Sequence, residues 1–386
     1  MVSFAIGLQS GGKGKVKVSN KVKQLTRFKE LLFYWKRDDM KVAKFLTTAI
    51  VLISIIGCAT TGQFRYQMGH QSFAAGNIAS AISDYEQAFK AEPQNTFYAG
   101  NLVIAYLING QKDKAMQLSQ QVMKDFPDDG FAYVSSGIAK LGSKEYREAI
   151  NLMIKGIDVN KKNPKEYSNN LERTAPLWLG VAYLLNNNFD EAKGVFEDNL
   201  KQPFADKIMD YTGLIVANYK LSNSEEVFNN IIHVFEISGW TAESASKIAK
   251  NPKNLEPKKA NIENISKVIV LHMYLKEYDK AKDLAQSLVK ADEYAGALMM
   301  GLVQIGQLKR DDAIDNFKIA AKQKPYCLMA IWLLAMDNAT TGDFDAFMKN
   351  LYSVTTIAST PQRDYWQEAQ QISNTLAISR YISSKW

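Results

Sequence analysis

Three histidines, two cysteines and 40 carboxylates are the groups in this 386-residue chain that could do chemistry, so their spacing comes first. His70, His233 and His272 lie far apart, and they form no His-x-x-x-His spacing. Cys58 and Cys327 form no Cys-x-x-Cys, so a zinc site has no support. No Gly-x-Ser-x-Gly elbow, Walker loop or dinucleotide fingerprint occurs. The run Gly11-Gly12-Lys13-Gly14-Lys15 lacks the strand before it and the helix after it that a phosphate loop needs. Cys327 falls in an apolar stretch, Tyr326–Met336, where a thiol is expected to be buried and inert. Carboxylates such as Asp190-Glu191 and Asp311-Asp312 stand at expected helix starts, where they suit the positive end of the helix dipole. The expectation is a protein with no catalytic centre, no metal and no cofactor.

Cys58 has a different setting. Residues 40–58 read as a basic start (Met40-Lys41-Val42-Ala43-Lys44), an apolar run Phe45–Ile56, and then Gly57-Cys58. The run falls short of the ~20 residues that span a bilayer. Ile55-Ile56-Gly57-Cys58 resembles the lipobox of bacterial lipoproteins. The resemblance implies cleavage before Cys58, acylation of Cys58, and, with Ala59 behind it, sorting to the periplasmic face of the outer membrane. An uncleaved signal anchor with a buried cysteine is the other reading. Residues 1–39 form a basic leader, either translation upstream of a true start at Met40 or a long basic n-region. Nine basic side chains face three acidic ones there, and Lys41 and Lys44 follow. Of the formal +7, this leaves residues 58–386 at −1, which argues against a nucleic-acid partner.

The elements behind these groups announce themselves by self-similarity. Ala81, Ala115 and Ala149 are 34 apart, as are Pro93 and Pro127, and Gly76 and Gly110. That period belongs to a helix–turn–helix unit. Gly69, Tyr85 and Ala88 join the first unit, and Leu102, Tyr106 and Val122 the second. Tyr133 and Gly137 mark the third, and Trp178-Leu179-Gly180, Tyr183, Ala192 and Phe196 the fourth. Later units are looser: Ala281, Ala285 and Leu288; Gly301, Ala313, Phe317 and Pro325; then Trp332 with Gly342-Asp343-Phe344-Asp345-Ala346. These residues resemble the tetratricopeptide repeat. The resemblance implies an all-α fold, a right-handed α-α superhelix, in which one unit cannot bury its apolar face without its neighbours. The expected organisation is a solenoid over 58–239, a lysine-rich linker or insertion over 240–262, and a second solenoid over 263–386. An insertion near Asn160–Asn170 interrupts the first solenoid, the segment 206–238 matches weakly, and the tail from Pro361 is expected to cap the last unit.

In the family the first helix of each pair lines a concave surface. The resemblance places Tyr66 and Phe73, Phe97, Ile104 and Leu107, Phe131, Val134 and Leu141, and Leu177 and Leu184 there. An apolar lining implies an apolar or amphipathic peptide segment as guest. A tight superhelix that packs these residues against itself is the alternative. The lysine and asparagine of the family's carboxylate clamp are absent, since Tyr66 and His70 stand in those places. The expected function is a lipid-anchored periplasmic adaptor that binds proteins and helps to assemble an envelope complex such as a pilus, a secretion pore or an outer-membrane machine. The alternative is a recruiter or regulator of an envelope enzyme such as a peptidoglycan hydrolase.

Overall fold

Apolar residues at three- and four-residue spacing, interrupted at intervals by a backbone reversal, dictate helical hairpins. The computed structural model describes residues 62–203, 207–237, 239–323 and 328–359; Cys58, Cys327 and the tail from Pro361 lie outside them. Seventeen α-helices and no strand occur among the described residues. Sixteen helices form eight antiparallel pairs. The first three pairs are α1 (Gly62–Ala74) with α2 (Ile78–Ala91), α3 (Thr96–Ile108) with α4 (Lys112–Asp125), and α5 (Gly130–Gly142) with α6 (Tyr146–Lys162). The fourth and fifth are α7 (Ser168–Leu185) with α8 (Phe189–Leu200) and α9 (Lys207–Lys220) with α10 (Ser224–Ile237). After the single helix α11 (Ala242–Ala249) come α12 (Ile262–Tyr274) with α13 (Tyr278–Ala291) and α14 (Glu293–Gly306) with α15 (Arg310–Gln323). The last pair is α16 (Leu328–Thr340) with α17 (Phe344–Ser359).

Every pair reverses on one residue in the left-handed region: Gly76, Gly110, Lys144, Asn187, Ser222, Lys276, Leu308 and Gly342. The next amide then donates to a carbonyl five residues back, as in Gln111 N–H to Tyr106 O at 2.8 Å and Lys309 N–H to Gln304 O at 2.8 Å. This is the Schellman closure, which satisfies carbonyls that the end of a helix leaves open.

Within a pair, a small residue on the first helix meets a large one 16 positions later. A Cβ on Gly69 would stand 2.6 Å from the Tyr85 ring, and one on Gly180 would stand 2.5 Å from Phe196. In the second and sixth pairs the sizes trade places: Val103 with Ser119, and Ile269 with Ala285, all fully buried. The filled volume is kept while the residue types change, as close packing requires.

The interval 240–262, expected as a linker or an insertion, forms ordered structure. It carries α11 and two 3-10 turns, Pro252–Leu255 and Lys259–Asn261. Trp240 is buried, and its Nε1–H donates to the Lys267 carbonyl at 3.0 Å. Lys247, Lys250, Lys253, Lys258 and Lys259 do face solvent. The apolar side of the segment has been used to bridge the fifth and sixth pairs, so one core runs from Tyr66 to Leu351. The last pair then folds back onto the first helices of the earlier pairs: α16 packs on α7 and α9, and α17 on α1, α3 and α5.

Candidate functional site

The inner face is built by the first helices α1, α3, α5, α7 and α9. All ten residues expected to line an open groove sit on the first four of these. Yet Tyr66, Phe73, Phe97, Ile104, Leu107, Phe131, Val134, Leu141, Leu177 and Leu184 are each at most 8% exposed. In this chain they form interior, which is the self-packed one of the two readings left open by the sequence.

Two kinds of contact fill it. The first runs sideways between successive pairs. Tyr66 meets Phe97 at 5.3 Å and Tyr98 at 5.0 Å between ring centres, Phe97 meets Phe131 at 5.4 Å, and Phe131 meets Tyr167 at 5.6 Å. Such rings give their area to the stack itself. The second contact comes from α17. Its buried stripe is Phe344, Phe347, Met348 and Leu351, at positions i, i+3, i+4 and i+7. Phe347 stands edge-on to Trp178 at 6.0 Å, and Tyr352 edge-on to Phe73 at 5.0 Å. A Cβ on Gly142 would stand 2.7 Å from Leu107 and 3.6 Å from the Phe344 ring, so these three close together. An apolar strip of this length left in water would be costly, and the stripe of α17 removes it from water.

Polar ties mark the seam. Lys112 Nζ reaches Asp345 Oδ1 at 2.7 Å, the lysine side chain being half-buried and the aspartate exposed. The Tyr146 hydroxyl donates to the Gly342 carbonyl at 3.2 Å. The neighbouring helix is held differently: Arg310 grips the largely buried Asp337 by two bonds, 2.7 Å from Nε and 2.6 Å from a terminal nitrogen.

A third set of ties comes from the insertion near 160–170. It lengthens α6 and α7 and carries Tyr167 across the starts of α3 and α5. The Tyr167 hydroxyl donates to the buried carboxylate of Asp129 and accepts from Thr96 Oγ1 at 3.2 Å. Asp129 also caps α5, accepting from the Phe131 amide at 2.9 Å. Burial, then the bond to Asp129, push the Tyr167 hydroxyl well above its usual range. On α1, burial pushes His70 down to about 4, and on α3, burial and then the charge of Glu92 push Tyr98 up to about 12. These values describe neutral groups inside a stack. No group of three His, Cys, Asp or Glu side chains placed to hold a metal occurs among the described residues.

A separate cleft of about 480 Å³ opens between α6, α7 and α8. Ile157, Leu171, Pro176 and Leu179 give it an apolar floor, and Lys161, Glu172 and Asp198 a rim of both signs. Sequence reasoning missed this cleft and the seam residues Lys112, Tyr146 and Tyr352. The signal that could have shown the seam was Phe344-x-x-Phe347-Met348-x-x-Leu351, a stripe as apolar as a ligand helix.

Residues 72–141 match the model of the tetratricopeptide repeat family. The chain is 32% identical over 95 residues to the small glutamine-rich tetratricopeptide repeat-containing protein 2 of Mycosarcoma maydis, a stretch that is 25% of this chain. The match spans about a quarter of that relative, 27% of its length. Among solved structures, the chain is similar to a tetratricopeptide repeat protein from Parabacteroides merdae, with TM-score 0.34 and 14% identity over 73% of this chain and 98% of that one. It is also similar to yeast Tom70, with TM-score 0.26 and 14% identity over 77% of this chain and 76% of that one. These superpositions are too loose to carry details of shape. The helix pairs and the matched residues together define a class for that part: residues 72–141 are tetratricopeptide repeats, set in a stack of antiparallel helix pairs. No described helix is long and apolar enough to cross a membrane.

Proposed function

We propose that this protein is a lipid-anchored adaptor of a bacterial envelope, which binds other proteins and helps to assemble or position an envelope complex on the periplasmic face of the outer membrane. The protein-binding half rests on one observation, a stack of eight helix pairs whose core repeats match a family of interaction scaffolds. The guest is a polypeptide segment with an apolar or amphipathic face, because the inner helices, buried as the chain stands, would present aromatic and aliphatic side chains and few charges where their cover is lifted. The anchoring half rests on Ile55-Ile56-Gly57-Cys58, which ends four positions before the start of α1 at Gly62. An acyl chain contributes about 0.8 kcal/mol per buried methylene, so two or three chains hold a soluble body firmly to a bilayer.

Mass spectrometry of the membrane-extracted chain tests the anchor. A mature N-terminus at an acylated Cys58, and a Cys58→Ala variant that moves to the soluble periplasmic fraction, are the expected results. An N-terminus at Met1 with unmodified Cys58 overturns the reading.

A further inference from the structure

We infer that α17 occupies the protein's own peptide site, so that the inner face accepts a guest by exchanging that helix for one of the same pattern. The inference deepens the protein-binding half of the function proposed above and rests on it. Its partner is thereby specified: an amphipathic helix with aromatics at i, i+3 and i+8, methionine or leucine at i+4 and i+7, and an acid at i+1.

Each position is read from what α17 places on the inner face. The aromatic at i is Phe344, against Leu107 and Gly142. The one at i+3 is Phe347, against Trp178, and the one at i+8 is Tyr352, against Phe73. Met348 and Leu351 at i+4 and i+7 complete the buried stripe. The acid at i+1 is Asp345, which meets Lys112. This spacing is that of helices that bind in grooves.

The manner of attachment argues for exchange. Lys349 is exposed and Asp345 is exposed at the edge of the seam, so the apolar contact of α17 is one stripe. Of the seam's polar ties, the ion pair Lys112–Asp345 lies at the surface with its aspartate in solvent, where such pairs hold weakly. By contrast α16 is buried on all sides, by Met329, Ile331, Trp332, Leu333 and Met336 among others, and is fastened through Asp337. The broadest neighbour of α17 is α16, so an incoming helix must take over that contact as well as the inner face.

The test uses the purified full chain and a fluorescent synthetic peptide of residues 341–359. Phe347→Glu in the chain should weaken the resident helix and raise affinity for the peptide at least ten-fold, while a peptide carrying Phe347→Glu should not bind. A folded Phe347→Glu chain, judged by helical dichroism, that binds the peptide no better than the unaltered chain overturns the inference. Should that variant fail to fold, the unaltered chain decides. Excess peptide should speed hydrogen exchange of the 344–353 amides and leave those of α16 unchanged; exchange in α17 that does not respond overturns it. Neither arm needs the membrane or a cellular partner, so an error in the anchoring half cannot produce either result.

Discussion

The two helices of the last pair are joined by a single tight reversal at Gly342, yet they belong to the molecule in different ways. Helix α16 is apolar around its whole circumference, and its one buried acid is clasped by Arg310. Helix α17 is apolar along one stripe, wet along the other, and tied by an ion pair at the surface. The contrast runs through the stack: first helices such as α3, α5 and α14 are buried on all sides, and second helices such as α4, α6 and α13 along one stripe. What sets α17 apart is where its stripe lands, on the first helices α1, α3 and α5, and this makes it a cover.

The comparison can be broken most directly with two matched truncations. Trp332→Ala in α16 should cost about 4 kcal/mol, the usual scale for a large buried aromatic, and should lower the midpoint of chemical denaturation of the whole chain. Phe347→Ala in α17 removes a similar area, but it should appear first as faster hydrogen exchange confined to α17. If both lower the global midpoint equally, the two helices are one unit.

Acid probes the face beneath the cover. His70 lies on α1, one of the three helices that α17 packs against, and burial lowers it from 6.5 to about 4. The unfolded chain therefore binds more protons between these values. Stability is complete above pH ~6.5 and falls as the pH drops toward 4, by an amount on the order of 3 kcal/mol. Urea titrations at pH 7 and pH 4.5 measure the loss, and His70→Leu should flatten it.

The two ion pairs give the smaller effects. Asp337→Ala leaves Arg310 with only the exposed Asp311 as partner and should cost about 2 kcal/mol, less than a fully buried pair because the guanidinium retains some water. Asp345→Ala should change global stability by less than about 0.5 kcal/mol, since the pair lies at the surface with its aspartate in solvent. Equal losses from the two would erase the contrast between α16 and α17.

Much of the stack was legible in the chain. The 34-residue spacing of Ala81, Ala115 and Ala149 located three second helices, and Gly76, Gly110 and Gly342 located three of the eight reversals. Lys144, Asn187, Ser222, Lys276 and Leu308 make the same reversal with a side chain attached, so no breaker signals them. The weakly matching segment 206–238 is a regular pair, α9 and α10, with its packing borrowed from a neighbour. A Cβ on Gly213 would strike Phe196 of the preceding pair at 2.5 Å. The inner residues were placed on the right helices, but the sequence left open whether they face a guest or pack against the chain itself. Whether a stripe is covered depends on a contact between opposite ends of the sequence, and no local pattern encodes that. The acyl anchor at Cys58 and the capping helix expected from Pro361 onward fall outside the described residues.

The contact between α17 and α1 changes how such a stack comes apart. A linear array frays from its two loose ends, because each unit touches only its immediate neighbours. Here the first and last described units brace each other. Such a closure raises contact order, and the final latch can be set only after the intervening pairs have formed. Assembly should therefore finish with a slow step that a shortened chain ending after α15 would lack.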